Sequence, residues 1–162
     1  MHLIRSFVAI AALALLPVGA IAQSAQIAFG SVKQDTSQPV EVSADNLAVD
    51  QNNGTAVFTG NVLIGQGQMR LAAPKVQVYY NDDGNRIERL VASGGVTLVS
   101  GDDAAEAQHA DYSIDSGMIK MRGDVLLTQQ KSAITADRMT VDTKSGTAQM
   151  EGRVKTVLQS ND

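Results

Sequence analysis

The sequence predicts an elongated all-β protein made of one repeated unit of short strands, and three observations carry that reading. A glycine followed two residues later by valine occurs four times, at Gly60-Asn61-Val62, Gly94-Gly95-Val96, Gly123-Asp124-Val125 and Gly152-Arg153-Val154, with glycine spacings of 34, 29 and 29 residues. Apolar and polar residues alternate on both sides of each glycine, the period of a strand with one buried face. No 11-residue window beyond residue 22 sustains a helical apolar stripe, so almost no helix is expected. A unit that buries its apolar face only against its neighbours stacks into a quasi-one-dimensional array.

The first 22 residues read as a signal peptide. Arg5 gives a positive start, Phe7 to Leu16 is an unbroken apolar run, and Ala20-Ile21-Ala22 supplies the small residues of a cleavage site. Pro17 and Gly19 interrupt the apolar stretch, which falls short of the roughly 20 residues that span a bilayer. Gln23 to Gln38 is polar and small, with no strand pattern before Val40, and is expected to be a flexible leader. Residues 39–158 form the repeat domain, and 159–162 a short tail.

Each unit opens with a short strand: Val40-x-Val42-x-Ala44, Met69-x-Leu71-x-Ala73, Ala105-x-Ala107 or Ile134-x-Ala136. The apolar parity then slips by one and resumes at Leu47-x-Val49, Val76-x-Val78, Tyr112-x-Ile114 or Met139-x-Val141. Such a slip would turn the apolar set outward unless the backbone bends there, so each marks a corner. Pro74 suits a corner because it cannot donate to a ladder. Turns follow at Asn53-Gly54, Asp83-Gly84, Ser116-Gly117 and Ser145-Gly146, pairs that tolerate positive φ. The next strand places Ala56 and Phe58, Leu90 and Ala92, Ile119 and Met121, or Ala148 and Met150 on one face. Beyond the repeated glycine that face continues as Val62 and Ile64, Val96 and Leu98, Val125 and Leu127, or Val154. Four strands in each of four units predict about sixteen strands. The second unit is longer, with its extra residues between Asn81 and Arg89.

Composition narrows the function. Without Arg5 the chain holds 12 basic against 17 acidic residues, which argues against nucleic acid as a partner. It has no cysteine, so an exported chain of this kind relies on its sheet and its apolar burial. Catalytic options are few. His109 stands alone beyond residue 22, no three or four residues cluster as zinc ligands, and no nucleophile elbow occurs. Asp50-x-Asn52-Asn53-Gly54 lacks the glutamate that would complete a calcium loop and reads as a turn. Asp82-Asp83 and Asp102-Asp103 lie in turns where burial and a raised pKa are not expected. An enzyme, a metal or a cofactor is therefore not expected.

The runs Pro39-Val40-Glu41-Val42-Ser43-Ala44-Asp45, Phe58-Thr59-Gly60-Asn61-Val62, Ile87 to Val96 and Ala136-Asp137-Arg138-Met139 resemble the OstA-like, LptA-type periplasmic proteins that carry lipopolysaccharide between the two membranes of Gram-negative bacteria. The similarity spans about Pro39 to Leu158. It implies a folded-over, two-sheeted antiparallel β-jellyroll or β-taco whose apolar interior shelters the acyl chains of lipid A. It also implies lipid contact at positions matching Val40, Val42, Val49, Leu98, Tyr112 and Ile114. The implied partners are an inner-membrane-anchored subunit of similar fold, an outer-membrane assembly component, and further copies of the chain joined head to tail. The corners and one-sided strands are what a V-shaped section requires, and they suggest an open apolar trough with usable sheet edges near Val40–Ala44 and Val154–Leu158. Two alternatives remain from the sequence: another component of the same transport system that keeps its apolar N-terminus, and a non-catalytic periplasmic glycan-binding β-solenoid. The second sits poorly with three Phe, three Tyr and no Trp, since carbohydrate platforms display aromatic rows.

Overall fold

The computed structural model describes residues 26–30 and 37–158, which form eleven strands and no helix. The proposed signal peptide and the tail 159–162 lie outside the described residues. The strands are β1 (Gln26–Ala28), β2 (Glu41–Ser43), β3 (Asn46–Asp50), β4 (Thr55–Gln66), β5 (Met69–Tyr80), β6 (Ile87–Ser100), β7 (Asp103–Ser113), β8 (Met118–Gln129), β9 (Ser132–Asp142), β10 (Thr147–Glu151) and β11 (Lys155–Leu158). All pair antiparallel in one sheet, in the order β1-β10-β9-β8-β7-β6-β5-β4-β2, with β3 also on β4 and β11 also on β9.

The strand count differs from sixteen for a simple reason. Each of the six strands β4 to β9 runs straight, meets a corner and runs straight again, so two predicted short strands are one bent strand. The registers slip at those corners, between Thr59 and Val62 on β4, Ser93 and Val96 on β6, and Arg122 and Val125 on β8. The extra residue always falls on the strand that carries the repeated glycine. At each corner two successive residues take positive φ: Gly60 and Asn61, Gly94 and Gly95, Gly123 and Asp124, Gly152 and Arg153. The glycine is required twice over at Gly94, where φ is +90° and an added Cβ would lie 2.8 Å from Pro74 Cγ. This strand bend is what the parity slip in the sequence records.

The corners divide the sheet into two walls that fold over one another. The first wall holds β2, the later halves of β4, β6 and β8, the early halves of β5, β7 and β9, and β11. The second holds β3, the complementary halves, β10 and β1. One apolar face of each wall turns inward, so Val62, Ile64, Leu71, Leu98 and Leu127 meet Val76, Val78, Leu90, Ile119 and Met139 in a single buried core. Burying these side chains supplies the main favourable term, about 25 cal/mol for each Å² of apolar surface removed from water.

Two features depart from the sequence reading. Gln26–Ala28, inside the segment expected to be a leader, forms a strand on β10, and Phe29 beside it is buried. The apolar trough is also closed along its middle, because the inward side chains of the two walls fill the space between them.

Candidate functional site

The candidate site is the inner apolar face with its two exits: the end of the stack at β2 and β3, and the mouth along the wall tips. Side-chain parity places Leu47 and Val49 on this face, since their register partners are Phe58 and Ala56. Phe58 packs against the core and Ala56 is buried. Yet Leu47 is 57% exposed and Val49 62%, because β3 is the last strand of its wall. The inner face thus continues to the end of the stack and emerges there as bare hydrocarbon.

The six residues singled out from the sequence fall in three settings. Val49 is at the exposed end. Val40 and Val42 are half-buried against the core at the neighbouring edge of the first wall, with Val42 opposite Ile64. Ile114 is half-buried at a tip of the second wall, where it lines a recess with Val40, Gln66 and Ile87. Leu98 and Tyr112 are not exposed to any opening: they are 0% and 1% exposed in the middle of the stack. Alternation predicts the face of these two correctly, but it carries no information on whether an opposing wall covers them.

The mouth is closed by polar contacts that sequence reasoning did not single out. The Tyr112 hydroxyl donates to Gln66 Oε1 at 2.5 Å, joining the two walls across the opening, and Gln66 Nε2 donates to the Gln38 carbonyl at 3.0 Å. Burial raises the Tyr112 pKa, with the Thr143 hydroxyl opposing the shift. The phenol therefore stays protonated through the neutral range and remains a donor. Further along the mouth, Gln129 Nε2 donates to the Ala28 carbonyl at 2.7 Å and the Gly30 amide donates to Asp103 Oδ2 at 2.8 Å. Sequence separations of 28 to 101 residues hide such pairs from any local pattern.

The outer faces are mostly polar, with Leu63 and Val99 exposed among the polar residues, and carry ion pairs between neighbouring strands and turns. Arg89 forks onto Asp111 and lies 5.4 Å from the centre of the Tyr79 ring, and Arg86 reaches Asp115. At the last corner the Arg153 guanidinium holds the Asp137 carboxyl below its usual range. His109, the isolated histidine, is half-buried at the third corner, on the face opposite Ala110 and Tyr112.

Comparison with known proteins agrees with this geometry. The crystal structure of LptH, described as the LptA-homologous periplasmic component of the lipopolysaccharide transport device of Pseudomonas aeruginosa, superposes with a TM-score of 0.69 at 18% identity over 78% of this chain and 99% of that one. The lipopolysaccharide export system protein LptA of Escherichia coli K12 is 27% identical over 124 residues, 72% of this chain and 66% of that protein. The LptA of Haemophilus influenzae is 24% identical over 139 residues, 79% of this chain and 81% of that protein. An uncharacterised protein of Rhizobium meliloti is 27% identical over 155 residues, 89% and 83% respectively. The family model for the LptA/(LptD N-terminal domain) LPS transport protein matches residues 41–147, from β2 to the start of β10, and the chain belongs to that family.

Proposed function

We propose that this protein is a periplasmic lipopolysaccharide carrier, which shelters lipid A acyl chains between its walls and joins edge to edge with partners of the same fold. The observation that carries this reading is the continuity of the inner apolar face from the buried core to the exposed Leu47 and Val49. An acyl chain left in water costs about 0.8 kcal/mol for each CH₂, so several chains need a continuous apolar path to cross an aqueous compartment. The exposed end supplies its first step.

Because the middle is filled, chains have to enter by displacing side chains or parting the walls. Nearly all the inward groups are hydrocarbon, so a chain that replaces them loses little contact. The Tyr112–Gln66 bond is the exception and has to break or re-form on the lipid. The family match supports the transport reading over a glycan-binding solenoid or an enzyme. Periplasmic location, cleavage of residues 1–22 and the inner-membrane-anchored and outer-membrane partners belong to the same proposal. So do lipid contacts at Val40, Val42, Val49, Leu98, Tyr112 and Ile114.

The test is a photo-crosslinking residue placed in cells at Val42, Val49 or Ile114, with Lys120 on the outer face as control. Lipopolysaccharide is expected on the first three and not on the control. Equal labelling at all four positions, or none at any inner position, would overturn the assignment. Val42→Asp puts a carboxylate beside the same entrance, and its lipid labelling at Ile114 is expected to fall.

A further inference from the structure

The two walls end differently at the carboxy-terminal end of the stack. On the first wall β11 pairs with β9, and among the described residues no strand covers its other edge. On the second wall the edge of β10 is covered by β1, from the chain's own N-terminal segment, in the register Gln26 to Gln149, Ile27 to Ala148 and Ala28 to Thr147. Past β1, Phe29 is 4% exposed and its amide donates to the Gly146 carbonyl at 2.9 Å. The chain then crosses from the tip of the second wall to Asp103 and Gln129 on the tip of the first.

We propose that β1 is a built-in stand-in for strand β3 of a second copy of this chain, a removable cap that sets when copies join. This rests on the edge-to-edge reading above and specifies how that edge is regulated. Three features of the fold support it. Strand direction alternates through the second wall from β3 to β10, so a copy stacked by simple translation brings its β3 antiparallel to β10, the orientation β1 already has. The lengths favour exchange: β3 and β10 have five residues each, whereas β1 has three and, among the described residues, pairs with Thr147, Ala148 and Gln149 of β10. The apolar content does too. β1 turns one large apolar side chain, Ile27, toward the core, while β3 carries Leu47 and Val49 on the inner face, both exposed in the single chain. Displacing β1 also withdraws Phe29 and Gly30 from the mouth, so joining a copy and loosening the mouth become one event.

The test uses the absence of cysteine in the chain. Ile27→Cys with Ala148→Cys places thiols on register partners, within the separation a disulfide requires. In a concentration series followed by sedimentation, the oxidised protein is expected to stay monomeric where the parent associates, and to recover on reduction. Ile27→Asp, which loosens the cap, is expected to raise the association constant about tenfold, a change of about 1.4 kcal/mol. In the associated protein the Gln26–Ala28 amides should lose protection from hydrogen exchange and Asn46–Asp50 should gain it. Association of the oxidised form at the parent's level overturns the cap and leaves edge-to-edge joining standing. Failure of both the parent and Ile27→Asp to associate, or association without gained protection at Asn46–Asp50, overturns the joining itself and the cap with it.

Discussion

The middle of the stack and its β2–β3 end share one sequence pattern but have opposite surroundings. Leu98 and Leu47 both occupy inward positions of alternating strands. Leu98 has a strand on each side and a wall opposite; Leu47 has one neighbouring strand and open water. The same residue type is therefore core in one place and contact surface in the other. In a stacked repeat, an end differs from the middle only by the missing neighbour, and the bare apolar positions identify where one belongs.

Equal truncations at the two places are expected to have the most unequal effects. Leu98→Ala removes buried hydrocarbon from a filled interior and is expected to cost about 2–5 kcal/mol in unfolding free energy. Leu47→Ala is expected to cost no more than about 0.5 kcal/mol, because its side chain is already mostly in water. Denaturant unfolding of both variants gives the ratio directly. A large loss at Leu47 would mean that the end of the stack is covered in solution, and a small loss at Leu98 would mean that the middle is open.

The same two residues mark what the sequence makes legible. Parity slips and repeated glycines locate every corner from β2 to β11, because both record local backbone geometry. Face assignments such as Ile119, Met121 and Leu127 follow for the same reason. Coverage does not follow, since it depends on a wall formed by residues far along the chain, and so the burial of Leu98 and Tyr112 in the single chain cannot be read from alternation. β1 was hidden by its shortness: Gln26-Ile27-Ala28 offers one large apolar residue among polar and small neighbours, too little for a period to appear. Gln66 was hidden by its type, as a glutamine at a strand end reads as solvent-facing until Tyr112 is placed against it.

A smaller effect sharpens the boundary between interior and mouth. Tyr112→Phe keeps the ring but removes the buried bond from its hydroxyl to Gln66 Oε1, which is expected to cost about 1–2 kcal/mol. Adding Gln66→Leu removes the acceptor together with the Gln66 Nε2 bond to the Gln38 carbonyl, so the double variant is expected to lose less than the sum of the two single variants. Thermal unfolding of the single and double variants measures it, and additive losses would show that the two groups do not act as a pair. If the bond also holds the walls together, lipid labelling at Ile114 rises in the single and double variants alike.

The weakest expected effect lies at the last corner and separates it from the first. Gly60-Asn61 and Gly152-Arg153 have the same backbone form, and in each the residue after glycine reaches an aspartate at the adjoining corner, Asp45 between β2 and β3 or Asp137 on β9. Asn61 donates to Asp45 as a neutral amide, whereas Arg153 binds Asp137 as a cation. Because Arg153 lowers the folded-state pKa of Asp137 below its ordinary 3.8, the carboxylate's contribution to stability is present above that value and is lost as pH falls through the folded one. Both side chains are solvated, so the change is small. Unfolding of the parent and of Asp137→Asn as a function of pH should therefore show a constant gap above about pH 4.5 that narrows in more acidic solution. A gap unaltered by acid would mean that the charge at this corner adds nothing to the hydrogen bond, and that the two corners are equivalent.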